Sequence, residues 1–286
     1  MIRRIQYTIP GSYDAACVQS FLKNHAGYSS QLIKELKKAP NGIVLNGSPA
    51  RSIDPVYEND MLEISLPQSH STAAPSPMAL KIVYEDDDVL VVDKPPALPV
   101  HPSIGHYRDT LANGVAYYLR QRDKDTAFHA VNRLDKDTSG LVLIGLHAYA
   151  ASRLAKSVRK EYTALCKGVL TGSGTIDAPI RREAGSIIRR EVGEGGHRAV
   201  THWLALASDG ENTLLKIILE TGRTHQIRVH FAHIGHPLVG DTLYSSGHPK
   251  LSRQALHCSR LTFQQPVTGR ILDLHSELYK DIMEVW

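Results

Sequence analysis

The sequence predicts an α+β protein in two parts: a mixed, mostly antiparallel central sheet with flanking helices, preceded by a small α+β module. Three observations predict it. A Pro-, Ser- and Ala-rich stretch from Pro67 to Ala79 lacks hydrophobic periodicity and divides a short N-terminal part from a long remainder. Beyond it, apolar runs of strand length outnumber helical patterns. One pair of those runs, Lys81 to Tyr84 and Val89 to Val92, flanks Glu85-Asp86-Asp87-Asp88 as a hairpin flanks its turn. The expected boundaries are a module over 1–66, a linker over 67–79 and a main domain over 80–286.

In the module, Ser30 is placed to cap a helix with Leu32, Ile33 and Leu36 on one side and Lys34, Lys37 and Lys38 on the others. Asn41-Gly42 marks a turn, Ile43 to Leu45 a short strand, and Asn46-Gly47 a hairpin turn. Met61 to Leu66 alternates, as a half-buried strand does. In the main domain, Leu141 to Leu146 reads as a buried strand, with further strands at Tyr162 to Gly168 and Leu214 to Leu219. Helices are expected over Leu111 to Arg120, over Ala148 to Val158 and after Thr224. The Gly-rich stretch carrying Arg181, Arg182, Arg189, Arg190 and Arg198 reads as a mobile loop.

Composition narrows the function classes. The 286 residues are 42% hydrophobic and 22% charged, ordinary for a folded soluble chain. A formal charge of +4 permits a polyanionic partner without requiring one. Three scattered cysteines, Cys17, Cys166 and Cys258, contain no Cys-x-x-Cys pair and argue against a disulfide framework or structural zinc. The N-terminus lacks a signal-peptide core, and no apolar run approaches the roughly 20 residues of a membrane span. A cytoplasmic protein without membrane or metal partners is expected. Asp86 to Asp88 suit a polar turn better than a calcium loop. His225, His230, His233 and His236 lack the His-Glu-x-x-His pattern and any cysteine partner, so a zinc site is disfavoured.

The chemistry concentrates in His129-Ala130-Val131-Asn132-Arg133-Leu134-Asp135-Lys136-Asp137-Thr138-Ser139-Gly140. Thr-Ser-Gly hydroxyls can bond nearby backbone, describing a tight loop able to hold one carboxylate ahead of a buried strand. Arg-Leu-Asp-x-x-Thr-Ser-Gly resembles the signature of RluA-type pseudouridine synthases, which carry His-Arg-Leu-Asp-x-x-Thr-Ser-Gly; Asn132 stands where that family has histidine. Three other stretches agree in order: Tyr84 to Pro96 ending near His101-Pro102, Lys160 to Leu165, and Gly222-Arg223-Thr224-His225-Gln226-Ile227-Arg228-Val229-His230 with His236-Pro237 and Gly240-Asp241. The resemblance spans residues 81–280, in its RluD-like branch. The two small helices, hairpin and lysines of the module resemble the αL-type RNA-binding module first described in a small-subunit ribosomal protein.

The resemblance implies an enzyme that isomerises uridine in RNA. The base-to-sugar bond is cut at N1 and remade at C5, with nothing gained or lost, so no cofactor is expected. Asp135 is the implied nucleophile, whether by attack at C1′, attack at C6 or removal of a sugar proton. Because a desolvated carboxylate needs a nearby cation to stay ionised, Arg228 is expected to pair with it, projecting from the first turn of a helix capped by Thr224. Tyr162 is expected to stack on the uracil and help remove the C5 proton. The target must be flipped out of its helix, with Arg133 filling the vacated space.

The expected partner is RNA, ribosomal by the family's habit, and the expected state is a monomer. RNA contacts are expected from Arg133, Asn132, Lys94, His101, Arg223, His225 and Gln226 around the site. Arg153, Lys156 and Lys160, at helix-like spacing, are expected to add phosphate contacts, as are Arg181, Arg182, Arg189 and Arg190 and the module's Lys34, Lys37 and Lys38. The rival readings are a transfer-RNA pseudouridine synthase and a catalytically silent RNA-binding protein of the same fold. An aspartic protease is disfavoured, since Asp137-Thr138-Ser139-Gly140 has no second copy to share a proton with.

Overall fold

A computed structural model describes residues 3–67, 70–124 and 126–286. Among them, no helix is long and apolar enough to cross a membrane.

The first strand, β1 (Arg4–Thr8), was not legible as one, although it buries Ile5 between the outward Arg4 and Gln6. After β2 (Ala16–Cys17) come α1 (Val18–Asn24) and α2 (Ser30–Leu36). The cap of α2 is Ser29 rather than Ser30; its hydroxyl accepts the Leu32 backbone N–H at 3.1 Å. Ser29 keeps the extended backbone of a cap, at φ −72° and ψ 152°, whereas Ser30 is already the first helical residue. β3 (Ile43–Leu45) and β4 (Ser48–Pro49) form the hairpin, and Asn46 and Gly47 both take the left-handed conformation that its two-residue turn requires. Following β5 (Pro55–Val56), β6 (Met61–Ser65) completes a four-stranded sheet in the order β1-β6-β3-β4.

The stretch 67–79 forms no helix or strand among its described residues; Gln68 and Ser69 of the expected linker lie outside them. It is laid along α3 (Leu111–Arg120), whose Asn113 accepts the Ser76 N–H at its carbonyl and donates its amide to the Ala74 carbonyl at 2.8 Å.

The main sheet comprises β7 (Lys81–Glu85), β8 (Val89–Lys94), β9 (His129–Ala130), β10 (Ser139–Gly145), β11 (Arg159–Lys167) and β12 (Ser173–Asp177). β15 (Val200–Ser208), β16 (Asn212–Leu219), β17 (Leu256–Gln264) and β18 (Ile271–His275) complete it. The order is β12-β15-β16-β11-β17-β10-β8-β7, with β18 beside β17 and β9 beside β10. The pairs are antiparallel except β10 with β17, which run parallel over Ser139–His257 and Gly140–Cys258. The α+β expectation therefore holds. Two of its strands, Val89 to Val92 and Leu141 to Ile144, are buried throughout, each side chain contributing about 1.5–3 kcal/mol of apolar burial. The helices α4 (Ala148–Ser157), α5 (Gln226–His233) and α6 (Lys280–Met283) flank the sheet.

Where a mobile loop was expected, β13 (Ile180–Arg182) and β14 (Arg190–Val192) pair as a hairpin. Three of the five arginines of the stretch pair with acids, Arg181 with Glu191, Arg189 with Glu183 and Arg198 with Glu220, so local pairing helps to order it.

The two halves touch through a polar knot. Asp88, read from sequence as a turn former, is buried and accepts from Arg3 at 2.7 and 2.9 Å, from Gln265 at 2.8 Å and meets His147 Nε2 at 2.9 Å. Beside it Tyr149 stacks on Tyr28 at 4.3 Å and donates to the Ala26 carbonyl. Burial alone would push the Asp88 carboxyl up, but bonds from His147, Arg3 and Gln265 hold it well below the ordinary carboxylate range. A carboxyl depressed in the folded state contributes stability above its unfolded pKa of about 4, lost as pH falls through the folded value. Asp88→Asn should therefore cost about 1–3 kcal/mol at pH 7 by urea denaturation, with a smaller deficit below pH 4. An equal deficit at both pH values would rule out a charge-based role.

Candidate active site

Asp135 sits in a loop that the fold braces from every side. The Thr138 N–H donates to the Asp135 carbonyl, closing the turn. The fully buried Lys94 ammonium, at the end of β8, donates to the carbonyls of Pro95 and Lys136 at 2.9 Å each, and the Leu98 N–H donates to the Lys136 carbonyl as well. From the C-terminal side, Arg253 donates to the Asp137 carbonyl and Gln254 to the Thr138 hydroxyl. Ser139 Oγ lies 3.0 Å from His257 Nδ1, with both residues sealed from solvent, so this pair ties β10 to β17 and is closed to any substrate. Gly140 is required where it stands: its φ is +109°, and a Cβ would lie 2.4 Å from the Cys258 carbonyl oxygen.

Asn132, only 5% exposed, spends both ends of its amide on β10. It donates to the Leu141 carbonyl at 3.0 Å and accepts the Leu143 N–H at 2.8 Å. The side chain thus acts as an extra strand segment that fixes the approach to Asp135.

The second half of the site comes from α5. Its N-cap is His225, in the left-handed conformation at φ 58°, without a side-chain cap; the expected Thr224 cap is absent. The Gln226 side chain instead holds the turn that leads into the helix, accepting the Arg223 N–H at 2.9 Å. Arg228 then points from the first turn into the cleft. Its Nε and Nη2 donate to the two oxygens of Asp241 at 2.7 and 2.9 Å, and its Nη1 donates to Asp135 at 3.2 Å. Asp241 is fully buried and also accepts the Leu243 and Tyr244 N–H groups. Burial opposes the charge on Arg228, but the carboxylates of Asp241 and Asp135 outweigh it and raise its pKa. Sequence reading missed Asp241 as a partner; its position after Gly240, whose Cβ would strike the Arg253 carbonyl at 2.0 Å, was the available signal of a tight turn.

Asp135 is 27% exposed at its side chain, so it is a half-open rather than desolvated carboxylate, and the ion pair orients it. His225 Nε2 stands 3.9 Å from it, while its Nδ1 meets the Tyr244 hydroxyl at 2.9 Å. Burial pulls the His225 imidazole down, with the Asp135 carboxylate pushing the other way. Tyr162, on β11, is buried against the cleft, and that burial raises its hydroxyl well above the ordinary range.

The cleft has a volume of about 540 Å³ and brings together His101, Asn132, Arg133, Asp135, Lys160, Tyr162, Arg223, His225, Gln226 and Arg228. Two of the expected RNA contacts are unavailable. Lys94 is fully buried beneath the loop, where burial lowers its ammonium to about 7. Gln226 is buried with its amide bonded to the Val200 carbonyl and the Thr201 hydroxyl. Arg153 and Lys156 lie on α4, but Lys160 lies on β11, so the three do not share a helix face. Arg153 instead packs on Gly27, between the two halves. Lys34, Lys37 and Lys38 are exposed on the far module.

The cleft thus gathers one oriented carboxylate, a guanidinium and a buried tyrosine, and comparison with known proteins gives the class. Residues 88–233 match the family described as RNA pseudouridylate synthase. An uncharacterized RNA pseudouridine synthase of Bacillus subtilis (strain 168), YjbO, is 36% identical over 267 residues, covering 91% of this chain and 94% of its own. Ribosomal large subunit pseudouridine synthase D of Haemophilus ducreyi is 34% identical over 266 residues, covering 86% and 80%. Among solved structures, human RNA Pseudouridylate Synthase Domain Containing 1 superposes with a TM-score of 0.57 at 26% identity, covering 71% of this chain and 86% of that one. The chain belongs to the RNA pseudouridylate synthase family, and it isomerises uridine to pseudouridine in RNA.

The Asn132 brace has a measurable consequence. Asn132→Ala should lower kcat by about tenfold or more with KM little changed, because the loop rather than the RNA surface is loosened. A neutral histidine also offers one donor and one acceptor, so Asn132→His should work near pH 8. It should fail below about pH 6.5, where imidazolium cannot accept the Leu143 N–H. A pH profile identical to that of the unaltered enzyme would refute the bracing role.

Proposed function

We propose that this enzyme modifies large-subunit ribosomal RNA and that Asp135 opens the reaction on a flipped-out uridine. The observation that carries the catalytic assignment is the Asp135 carboxylate facing the cleft while Arg228 holds it at 3.2 Å. The target assignment rests on several relatives, of Haemophilus, Pasteurella and Vibrio species, that bear the name ribosomal large subunit pseudouridine synthase D at 34–38% identity.

In this reading the uridine leaves its helix at a cost of a few kcal/mol, and the exposed Arg133 beside Asp135 fills the gap. Asp135 assists cleavage of the N1–C1′ bond; the freed ring turns, C5 bonds to C1′, and the displaced C5 proton is balanced by one gained at N1. Tyr162 walls the uracil through its ring and keeps a hydroxyl donor in place. His101, Lys160, Arg223 and His225 meet the nucleotide and its neighbours around the rim. Residues 1–66 act as an RNA-binding module whose Lys34, Lys37 and Lys38 extend the phosphate contact, with 67–79 as the connection.

The test is to map pseudouridine in RNA from cells with and without the gene, and to assay the purified chain on large-subunit RNA. The gene should account for at least one pseudouridine in that RNA, and Asp135→Asn should abolish its formation while RNA is still bound. A site confined to transfer RNA would overturn the target. Normal turnover by Asp135→Asn would overturn the catalytic assignment.

A further inference from the structure

The β13–β14 hairpin ends in two adjacent isoleucines facing solvent, Ile187 at 84% and Ile188 at 63% exposure. Single exposed apolar side chains are ordinary on a folded surface; two together on a turn built to present them are not. The Ser186 hydroxyl accepts the N–H groups of Ile188 and Arg189 at 3.2 and 2.9 Å. Arg190 folds its guanidinium back under the tip, donating from Nη1 to the carbonyls of Ile187, Ile188 and Arg189 at 3.5, 3.0 and 3.0 Å. An arginine expected on phosphate is instead used to stiffen an apolar point.

That point is mechanically joined to the reaction centre. The Arg190 N–H donates to the Tyr244 hydroxyl at 2.9 Å, the same hydroxyl that meets His225 Nδ1, and His225 lines the cleft beside Asp135. Beneath it, Val192 of β14 packs with Val229 of α5. Residues 181–198 hold five arginines against three glutamates, so the arm as a whole favours a polyanion over an acidic or neutral surface.

We propose that Ile187 and Ile188 form an apolar wedge that enters the RNA stack next to the target uridine and stabilises the opened state. The proposal rests on the reading of the cleft as a site for a flipped-out uridine. A flipped nucleotide leaves its neighbours unstacked, and apolar side chains inserted at a step are a general way to hold a nucleic-acid helix open. Arg133 acts within the cleft, at the vacated position; the hairpin tip acts at the adjoining step.

The wedge matters only where there is a stack to open. The test compares the full chain with an Ile187→Ser, Ile188→Ser double variant in single-turnover pseudouridine formation. One substrate is the folded RNA that carries the mapped site; the other is a short unstructured strand of the same local sequence. The double serine variant should lose about tenfold or more on the folded RNA and stay within about twofold on the short strand. An Ile187→Leu, Ile188→Leu variant should restore the rate on folded RNA. Equal rates for the serine and unaltered chains on folded RNA would overturn the wedge, as would an equal loss on both substrates. A change of oligomeric state in sedimentation without a change in turnover would mark the tip as a protein contact and also overturn it. If the unaltered chain modifies neither substrate, the reading of the cleft itself falls and takes the wedge with it; if it modifies both and only the serine effect is missing, the wedge alone falls.

Discussion

One planar cation organises the site. Arg228 has a forked guanidinium that can satisfy two carboxylates at once along fixed directions, which a lysine cannot do. It uses two nitrogens on buried Asp241 and the third on half-exposed Asp135. The unequal division matters. Asp241 is itself fixed by the backbone N–H groups of Leu243 and Tyr244, so it anchors the arginine, and the arginine then places the acid that faces substrate. A buried pair of this kind contributes little net stability, because desolvation offsets most of its attraction; its value lies in orientation. The chain from a turn at Gly240, through α5, to the loop before β10 joins segments about a hundred residues apart in sequence without relying on any mobile element.

The rest of the molecule serves that placement. The parallel contact of β10 with β17, possible only because Gly140 lacks a Cβ, sets the Asp135 loop against the segment carrying Arg253 and Gln254. Lys94 and Asn132 hold the same loop from its other side, one through carbonyls and one as a surrogate strand. The N-terminal module is docked through Asp88 and Tyr149 on the opposite end of those strands, so its position follows from the same core that fixes the carboxylate.

Much of this was legible in the sequence because the signals were local. Continuous apolar runs gave β8 and β10, the helix over Leu111–Arg120 was placed to the residue, and the Arg-Leu-Asp-x-x-Thr-Ser-Gly string marked the loop. The ion pair of Asp135 with Arg228 was also expected. What escaped was non-local or masked. β17 carries His257 and Ser259 among its inward positions, which breaks the alternation that would have revealed a strand at the centre of the sheet. Asp88 looked like a turn residue because its partners Arg3, His147 and Gln265 lie far away in sequence. Lys94 and Gln226 looked available to RNA because charge and polarity suggest exposure, whereas both are buried and spent on backbone carbonyls.

The most direct measurement of the central claim is single-turnover pseudouridine formation by Asp241→Asn, a change that keeps shape, never touches the cleft, and removes one of the two charges anchoring Arg228. If the anchor places the reacting acid, the rate should fall by about 10²-fold while RNA affinity and the far-ultraviolet circular dichroism stay as they were. Turnover at the unaltered rate would contradict the account, for then Asp135 would find its pose without Arg228 being held.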